Sequence, residues 1–271
     1  MVTLFSLPKP FGGDAAAAQE TALASWRALG DEVQVVLVGD ELGIAEAAKA
    51  AGVEHIADVA RSPTGTPRLD DAFARVDAIA RHPLRLFVNA DIVLLPDLLD
   101  AVRVVRADRP FLLVGQTRDL RVVREELEDR TKLRARALAE GRLRGAVAID
   151  WFVFPAGLFD PMPPFLVGRA SFDNWMIWRG RQEGPVVDAT ADVVAIHQPH
   201  DYGHLAGGLN EAYFGAEAQE NMRLAGGKTR MYTLHDASHR LVAGRLRRNH
   251  GAIMRWRDVL RRIAYKLRRL R

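Results

Sequence analysis

Four short stretches gather groups able to do acid–base or metal chemistry. Phe87-Val88-Asn89-Ala90-Asp91 ends an apolar run with a carboxylate. Such an oxygen donor suits Mg2+ or Mn2+, which commonly bridge carboxylates to phosphates. A lone aspartate there would equally cap the next helix. Ile196 to His204 places His197, His200, Asp201 and His204 directly after another apolar run. Imidazole is the commonest transition-metal ligand, though loop histidines also make ordinary hydrogen bonds. Ser171-Phe172-Asp173-Asn174-Trp175 opens an aromatic-rich helix with a carboxylate. Asp173 there suits a general base, with an aromatic neighbour to wall a flat ring; capping the helix is the plainer use. Asp150-Trp151 repeats the pairing of carboxylate and aromatic after an apolar run.

Other chemistries lack their residues. The 271-residue chain has no cysteine, which removes disulfides, thiolate metal sites and thiol nucleophiles. No G-x-S-x-G elbow, no G-x-x-x-x-G-K-[ST] loop and no G-x-G-x-x-G after the first strand occurs. Apolar residues make up 48% and charged residues 27%, ordinary values for a globular enzyme. No stretch of about 18 uncharged apolar residues is present, and the first residues lack a secretory signal pattern. The expectation is a cytoplasmic protein.

The elements that must position these groups alternate. Strands are expected at 2–7, 33–38, 55–60, 84–95 with a break at 89–91, 111–116 and 147–154, with short ones near 185–190 and 192–198. Helices are expected at 14–29, 42–51, 69–81, 97–107 and from about 170. Strands that are apolar throughout, separated by helices, predict a mainly parallel α/β sheet covered on both faces. Ligands in such sheets sit at the carboxyl ends of the strands. Those ends are Leu7–Pro10, Gly39-Asp40, the 61–67 loop and Asn89–Asp91. Residues 117–145 are dense in both charges and predict an exposed helical excursion, a solvated helix or an acceptor-side lid. After His204 the glycine content predicts irregular chain to about residue 230.

Taken in order, these pieces resemble a GT-A-type glycosyltransferase of the nucleotide-diphosphosugar transferase superfamily, a bacterial family 2-like member. The resemblance covers roughly residues 1–235. It rests on LFSLPKPF, VVLVGD, FVNADIVL, FDNW and VAIHQPHDYGH, with YTLHDASH at 232–239 in support. It implies a GT-A-like, Rossmann-type sheet over 1–239 and transfer of a sugar from a nucleotide-diphosphate donor to an acceptor hydroxyl, metal-assisted and inverting. By position, Asp91 matches the last acid of the DxD motif and would hold Mn2+ or Mg2+. Asn89, where the first acid of that motif usually sits, departs from the pattern and puts metal dependence in doubt. Leu7, Pro8 and Pro10 would line the nucleotide pocket, with Asn89 and Ala90 beside it, and Asp40 would contact the nucleoside. His197 would be the late metal ligand, with His200 and His204 as rivals. Asp173 would be the catalytic base, and Asp150 and Trp151 would face the acceptor. Arg61, Arg118 and Arg169 are unranked candidates for a contact to the diphosphate. Two other readings stand beside this one: a sugar-phosphate nucleotidyltransferase, and a non-catalytic nucleotide-sugar or membrane-surface binding protein.

The C-terminus differs in charge. Residues 240–271 hold 12 Lys and Arg against one acid, Asp258, while the remainder carries a net charge of −7. Ile253, Trp256, Leu260, Ile263, Leu267 and Leu270 recur at spacings of three and four, which predicts a basic amphipathic helix. That helix fits an anionic membrane surface, packing on this chain or a second subunit, or nucleic acid. No nucleic-acid fold accompanies it, so no nucleic acid is expected as partner. The expected partners are a nucleotide sugar and a glycan, lipid-linked or small-molecule acceptor, with room for a homo-oligomer and for peripheral attachment at the inner face of a membrane.

Overall fold

The computed structural model describes residues 1–105, 110–199 and 207–250. Strands and helices alternate through the first half: β1 (Val2–Ser6), α1 (Gly13–Arg27), β2 (Val33–Val38), α2 (Ile44–Ala51), β3 (Glu54–Ile56), α3 (Leu69–Ile79), β4 (Leu84–Val88), β5 (Ile92–Val93) and α4 (Asp97–Val105). Then come β6 (Leu112–Asp119), α5 (Arg130–Glu140), β7 (Arg142–Leu143), β8 (Ile149–Pro155), α6 (Phe172–Glu183), β9 (Val186–Asp188) and β10 (Ala195–His197). The described chain closes with α7 (Gly208–Phe214), α8 (Ala216–Leu224), β11 (His239–Val242) and β12 (Arg245–Arg248).

The main sheet runs β12-β11-β9-β6-β8-β4-β1-β2-β3. Its residues sort by strand alternation into two cores. Val2, Leu4, Val35, Leu37 and Leu86 pack with α1, α2 and α4 on one face. Phe5, Val36, Val38 and Phe87 pack with α3 and α6 on the other. Burial on both faces is why the strands read as continuous apolar runs. The pairs among β3, β2, β1 and β4, and among β6, β9 and β11, are parallel. β8 runs antiparallel between β4 and β6. This reversal matters for the site. It brings the start of β8 to the carboxyl end of β4, with Trp151 opposite Val88.

Three expectations change. The 117–145 segment is not wholly an excursion. β6 continues to Asp119 and β7 pairs back onto it, leaving a 3-10 turn at Arg124–Glu128 and α5 outside. Its charged residues hide the strand because they pair with one another and with the backbone: Arg118 donates to the Gly141 carbonyl, and Asp119 pairs with Arg142, Arg144 and His197. The stretch after 206 is helical, not irregular. Gly207 and Gly215 precede α7 and α8 as their caps, so these glycines punctuate two helices that bury Ala212, Ala218 and Asn221. The sheet also continues past 239. β11 joins β9 in parallel and turns back as β12, so residues 239–248 form a hairpin. The helix expected at 253–270 lies outside the described residues. Among those described, no helix is long and apolar enough to cross a membrane.

Candidate functional site

A cavity of about 560 Å³ opens at the carboxyl ends of the parallel strands. One wall is made by the segments that follow β1, β2 and β4. The other comes from residues 168–174, α7, α8 and Met231. Phe87 and Phe172, with rings 6.1 Å apart, meet at its base.

The strand-end wall is fixed by hydrogen bonds between neighbouring strand termini. The buried Ser6 Oγ donates to the Val88 carbonyl at 2.6 Å, tying the end of β1 to the end of β4. The indole Nε1 of buried Trp26 donates to the Ile92 carbonyl at 2.9 Å. The Gln198 amide donates to the Asp91 carbonyl at 3.1 Å. These bonds set the Asn89–Asp91 turn that carries the Asp91 carboxylate into the cavity. Lys9 comes in above it, its Nζ 3.6 Å from Asp91 Oδ2. His197 enters from β10, with Nδ1 held 2.9 Å from Asp119 Oδ1. A carboxylate on one ring nitrogen is the arrangement that orients a metal-binding imidazole.

Asp150 is a hub, not an open carboxylate. Its Oδ1 accepts from Asn89 Nδ2 at 3.0 Å. Its Oδ2 accepts from Thr117 Oγ1 at 2.7 Å and from Arg144 at 2.5 Å. Arg144 also lies 3.5 Å from Asp119, and its guanidinium is raised above its ordinary value: burial opposes this, but Asp150, Asp119 and Asp91 outweigh it. A continuous chain of contacts therefore runs His197, Asp119, Arg144, Asp150, Asn89. The departure at Asn89 has its reason here. An aspartate at 89 would set two carboxylates against each other where the amide now donates.

The second wall is gathered from distant sequence. Glu217 on α8 accepts from Ser62 Oγ at 2.9 Å and Thr66 Oγ1 at 2.8 Å, and also from Thr64 Oγ1. The same carboxylate pairs with buried Arg169 at 2.7 Å. Burial alone would raise it, but the three hydroxyls and Arg169 hold it below the ordinary range. Buried Asn221 adds bonds to the backbone of Leu166 in both directions. Ser171 then enters α6 with φ at 92°, a conformation that costs a non-glycine residue about 1–3 kcal/mol. This turn delivers Asp173 to the cavity. Burial pushes its carboxyl up to about 7; the Asn174 amide opposes this, and the nearby Asp150 charge adds to it.

Of the residues expected from sequence, Leu7, Pro8, Pro10, Asn89, Ala90, Asp91, Asp150, Asp173 and His197 all line this cavity. Asp40 does not. Its exposed side chain pairs with Arg61, and Glu41 is the acid that lines the cavity after β2. Trp151 does not either. Strand alternation turns it to the opposite face from Asp150, fully buried in the core, against Gly115. A Cβ on Gly115 would lie 2.7 Å from the indole. Trp175 is likewise buried among Phe159 and Phe165 rather than walling the cavity. Asn89 lines the cavity with its amide nitrogen committed to Asp150. Of the three arginines, only Arg169 reaches the cavity, and it is paired with Glu217. His200 and His204 lie outside the described residues. Lys9, Arg144 and Glu217 escaped sequence reading; Lys9, set between two prolines at a strand end, carried a usable signal.

Asp91 and His197 fit a divalent cation as one carboxylate and one oriented imidazole. Among the described residues, no cluster of three or more ligating side chains exists. Substrate phosphate and water would supply further ligands, as Mg2+ sites commonly allow.

No family model and no curated protein matches the chain. Solved structures do. One is S. aureus TarS 1-349 in complex with UDP-GlcNAc, at a TM-score of 0.53 and 16% identity, over 83% of this chain. The chain spans 65% of that 1-349 chain, less than two thirds of it. Another is glucosyl-3-phosphoglycerate synthase from Mycobacterium tuberculosis in complex with Mg2+ and UDP, at 0.50 and 13% identity, over 84% of this chain and 80% of the other. Identity this low speaks for fold alone: the chain has the GT-A-type fold of these glycosyltransferases, as the resemblance in its sequence implied.

Proposed function

We propose that this protein moves a sugar from a nucleoside-diphosphate donor to an acceptor hydroxyl, with inversion at the anomeric carbon. One observation carries the reading. A carboxyl titrating near 7, Asp173, shares one cavity with the Lys9, Asp91 and His197 cluster at the strand ends. A base for the acceptor and a charged seat for the donor phosphates thus face the same space. UDP-GlcNAc and UDP in the structures of like fold support a nucleotide-sugar donor.

In this reading the nucleoside lies against Leu7, Pro8 and Glu41, and the diphosphate lies over Asp91. A divalent metal held by Asp91 and His197, Mn2+ or Mg2+, would offset the charge that develops on the leaving diphosphate. Asp173, its carboxyl pushed up to about 7 by burial, takes the proton of the acceptor hydroxyl in its ionised form. The hydroxyl oxygen bonds to the anomeric carbon, and the bond to the phosphate oxygen breaks with its electron pair on the diphosphate. Arg144 and Asn89 keep Asp150 in place beside Asp173. The acceptor is a glycan, a lipid-linked sugar or a small hydroxyl compound. Action at the cytoplasmic face of an anionic membrane is a further part of this proposal, carried by the sequence of 253–271 alone.

The test is a panel of nucleotide sugars in thermal-shift and product assays, with Mn2+, Mg2+ or EDTA, on the wild type and Asp173→Asn. One donor should stabilise both proteins, while turnover of the variant falls by about 10²- to 10⁴-fold. A protein stabilised by no nucleotide sugar would end the transferase reading.

A further inference from the structure

Lys9 is held with unusual care for a loop lysine. Pro8 and Pro10 flank it and restrict the backbone on both sides. Gln19, buried on α1, grips the Lys9 backbone at both ends. Its Oε1 accepts from the Lys9 amide at 2.8 Å, and its Nε2 donates to the Lys9 carbonyl at 3.1 Å. The result is an ammonium group delivered into the cavity from a rigid turn. Its distance from Asp91, 3.6 Å, is an ion-pair distance longer than a direct hydrogen bond. The Asp91 side chain is 10% exposed and that of Lys9 26%, so the pair is shielded on one side and reachable from the cavity. An ammonium is a compact point charge that suits phosphate oxygens as well as carboxylates.

We propose that Lys9 is a built-in cation of the donor site: it holds Asp91 while the cavity is empty and turns to the diphosphate when nucleotide enters. The phosphate half of this rests on the transferase reading above. Two consequences follow. Nucleoside diphosphate binding keeps a component that needs no metal, supplied by Lys9. A divalent cation arriving without nucleotide must compete with Lys9 for Asp91.

Calorimetry on the full chain separates the two. Mn2+ alone is titrated into the wild type, Lys9→Met and Lys9→Gln. Removal of the competing charge should tighten Mn2+ binding by about tenfold. Equal affinity, or no binding by any of the three, overturns the competition. UDP and inorganic pyrophosphate are then titrated in EDTA. Lys9→Met should bind each at least about tenfold more weakly, with Lys9→Arg recovering part of the loss. Equal binding by wild type and Lys9→Met overturns the diphosphate role. Absence of binding by the wild type to UDP and to every other nucleoside diphosphate, with or without metal, counts against the transferase reading itself. The Mn2+ titration still decides the competition for Asp91 in that case. Unchanged melting profiles for two of the three variants establish that the effects are local.

Discussion

The two walls of the cavity are built in opposite ways. The strand-end wall holds Leu7, Pro8, Lys9, Asn89 and Asp91, each within a few residues of a buried strand. Their placement follows once the sheet forms, because neighbouring strand ends are bonded to each other, as Ser6 is to Val88. The other wall hangs more on side chains of α8. Glu217 reaches the 61–67 loop and Arg169, across 155 residues of chain in the case of Ser62, and Asn221 bonds the Leu166 backbone, while the Val167 amide donates to the Pro67 carbonyl. A strand-end site is robust because the core supports it. A wall whose helix is held by a few polar side chains, Glu217 foremost, depends on them.

Glu217→Ala tests this dependence most severely. It leaves buried Arg169 without its carboxylate partner and frees three hydroxyls, which should cost about 3 kcal/mol of stability. Thermal denaturation would show it, and nucleotide affinity at the strand-end wall should stay nearly unchanged. An equal loss of nucleotide affinity would erase the distinction between the walls.

The pH dependence of Asp173 comes next in size. The folded protein titrates this group near 7, against an ordinary value of 3.8, so the folded state holds the proton more tightly. The contribution of Asp173 is full below about pH 4 and is lost as pH climbs to 7. Asp173→Asn does not titrate. Its stability relative to wild type should therefore improve between pH 4 and pH 8, by about 2 kcal/mol after allowing for a cavity open to water. Denaturant curves at several pH values measure this. A constant difference would mean that Asp173 is solvated like a surface acid.

The smallest effect sharpens the strand-end side. Asn89→Asp restores an acid at the first position of the DxD pattern but sets it against Asp150. It should lose about 1 kcal/mol of stability at pH 8 and less at pH 5, where the pair can share a proton. Mn2+ affinity should not rise. A clear gain in Mn2+ binding would show that the amide, rather than the Asp150 network, limits the metal site.

Local pattern in the sequence was enough for the parallel strands β1, β2 and β4 and for the first wall. Apolar runs, Pro8 and Pro10 after β1 and the Asn89–Asp91 break after β4 are local signals, and strand ends in such sheets face ligand. Asp173 was legible too, as a carboxylate opening an aromatic helix. Asp150 and Trp151 are adjacent on a strand and face opposite ways, and only the register of β8 tells which of them faces the cavity. Glu41, not Asp40, lines the cavity because of the turn after β2, whose geometry is not readable from composition. Packing settled the rest. The reversal of β8 put Asp150 against Asn89, and Glu217 chose its partners from three distant segments. Contacts of that kind are set by which elements pack side by side, and sequence separation carries no signal of it. Local pattern fixes what a residue can do, while packing fixes what it meets.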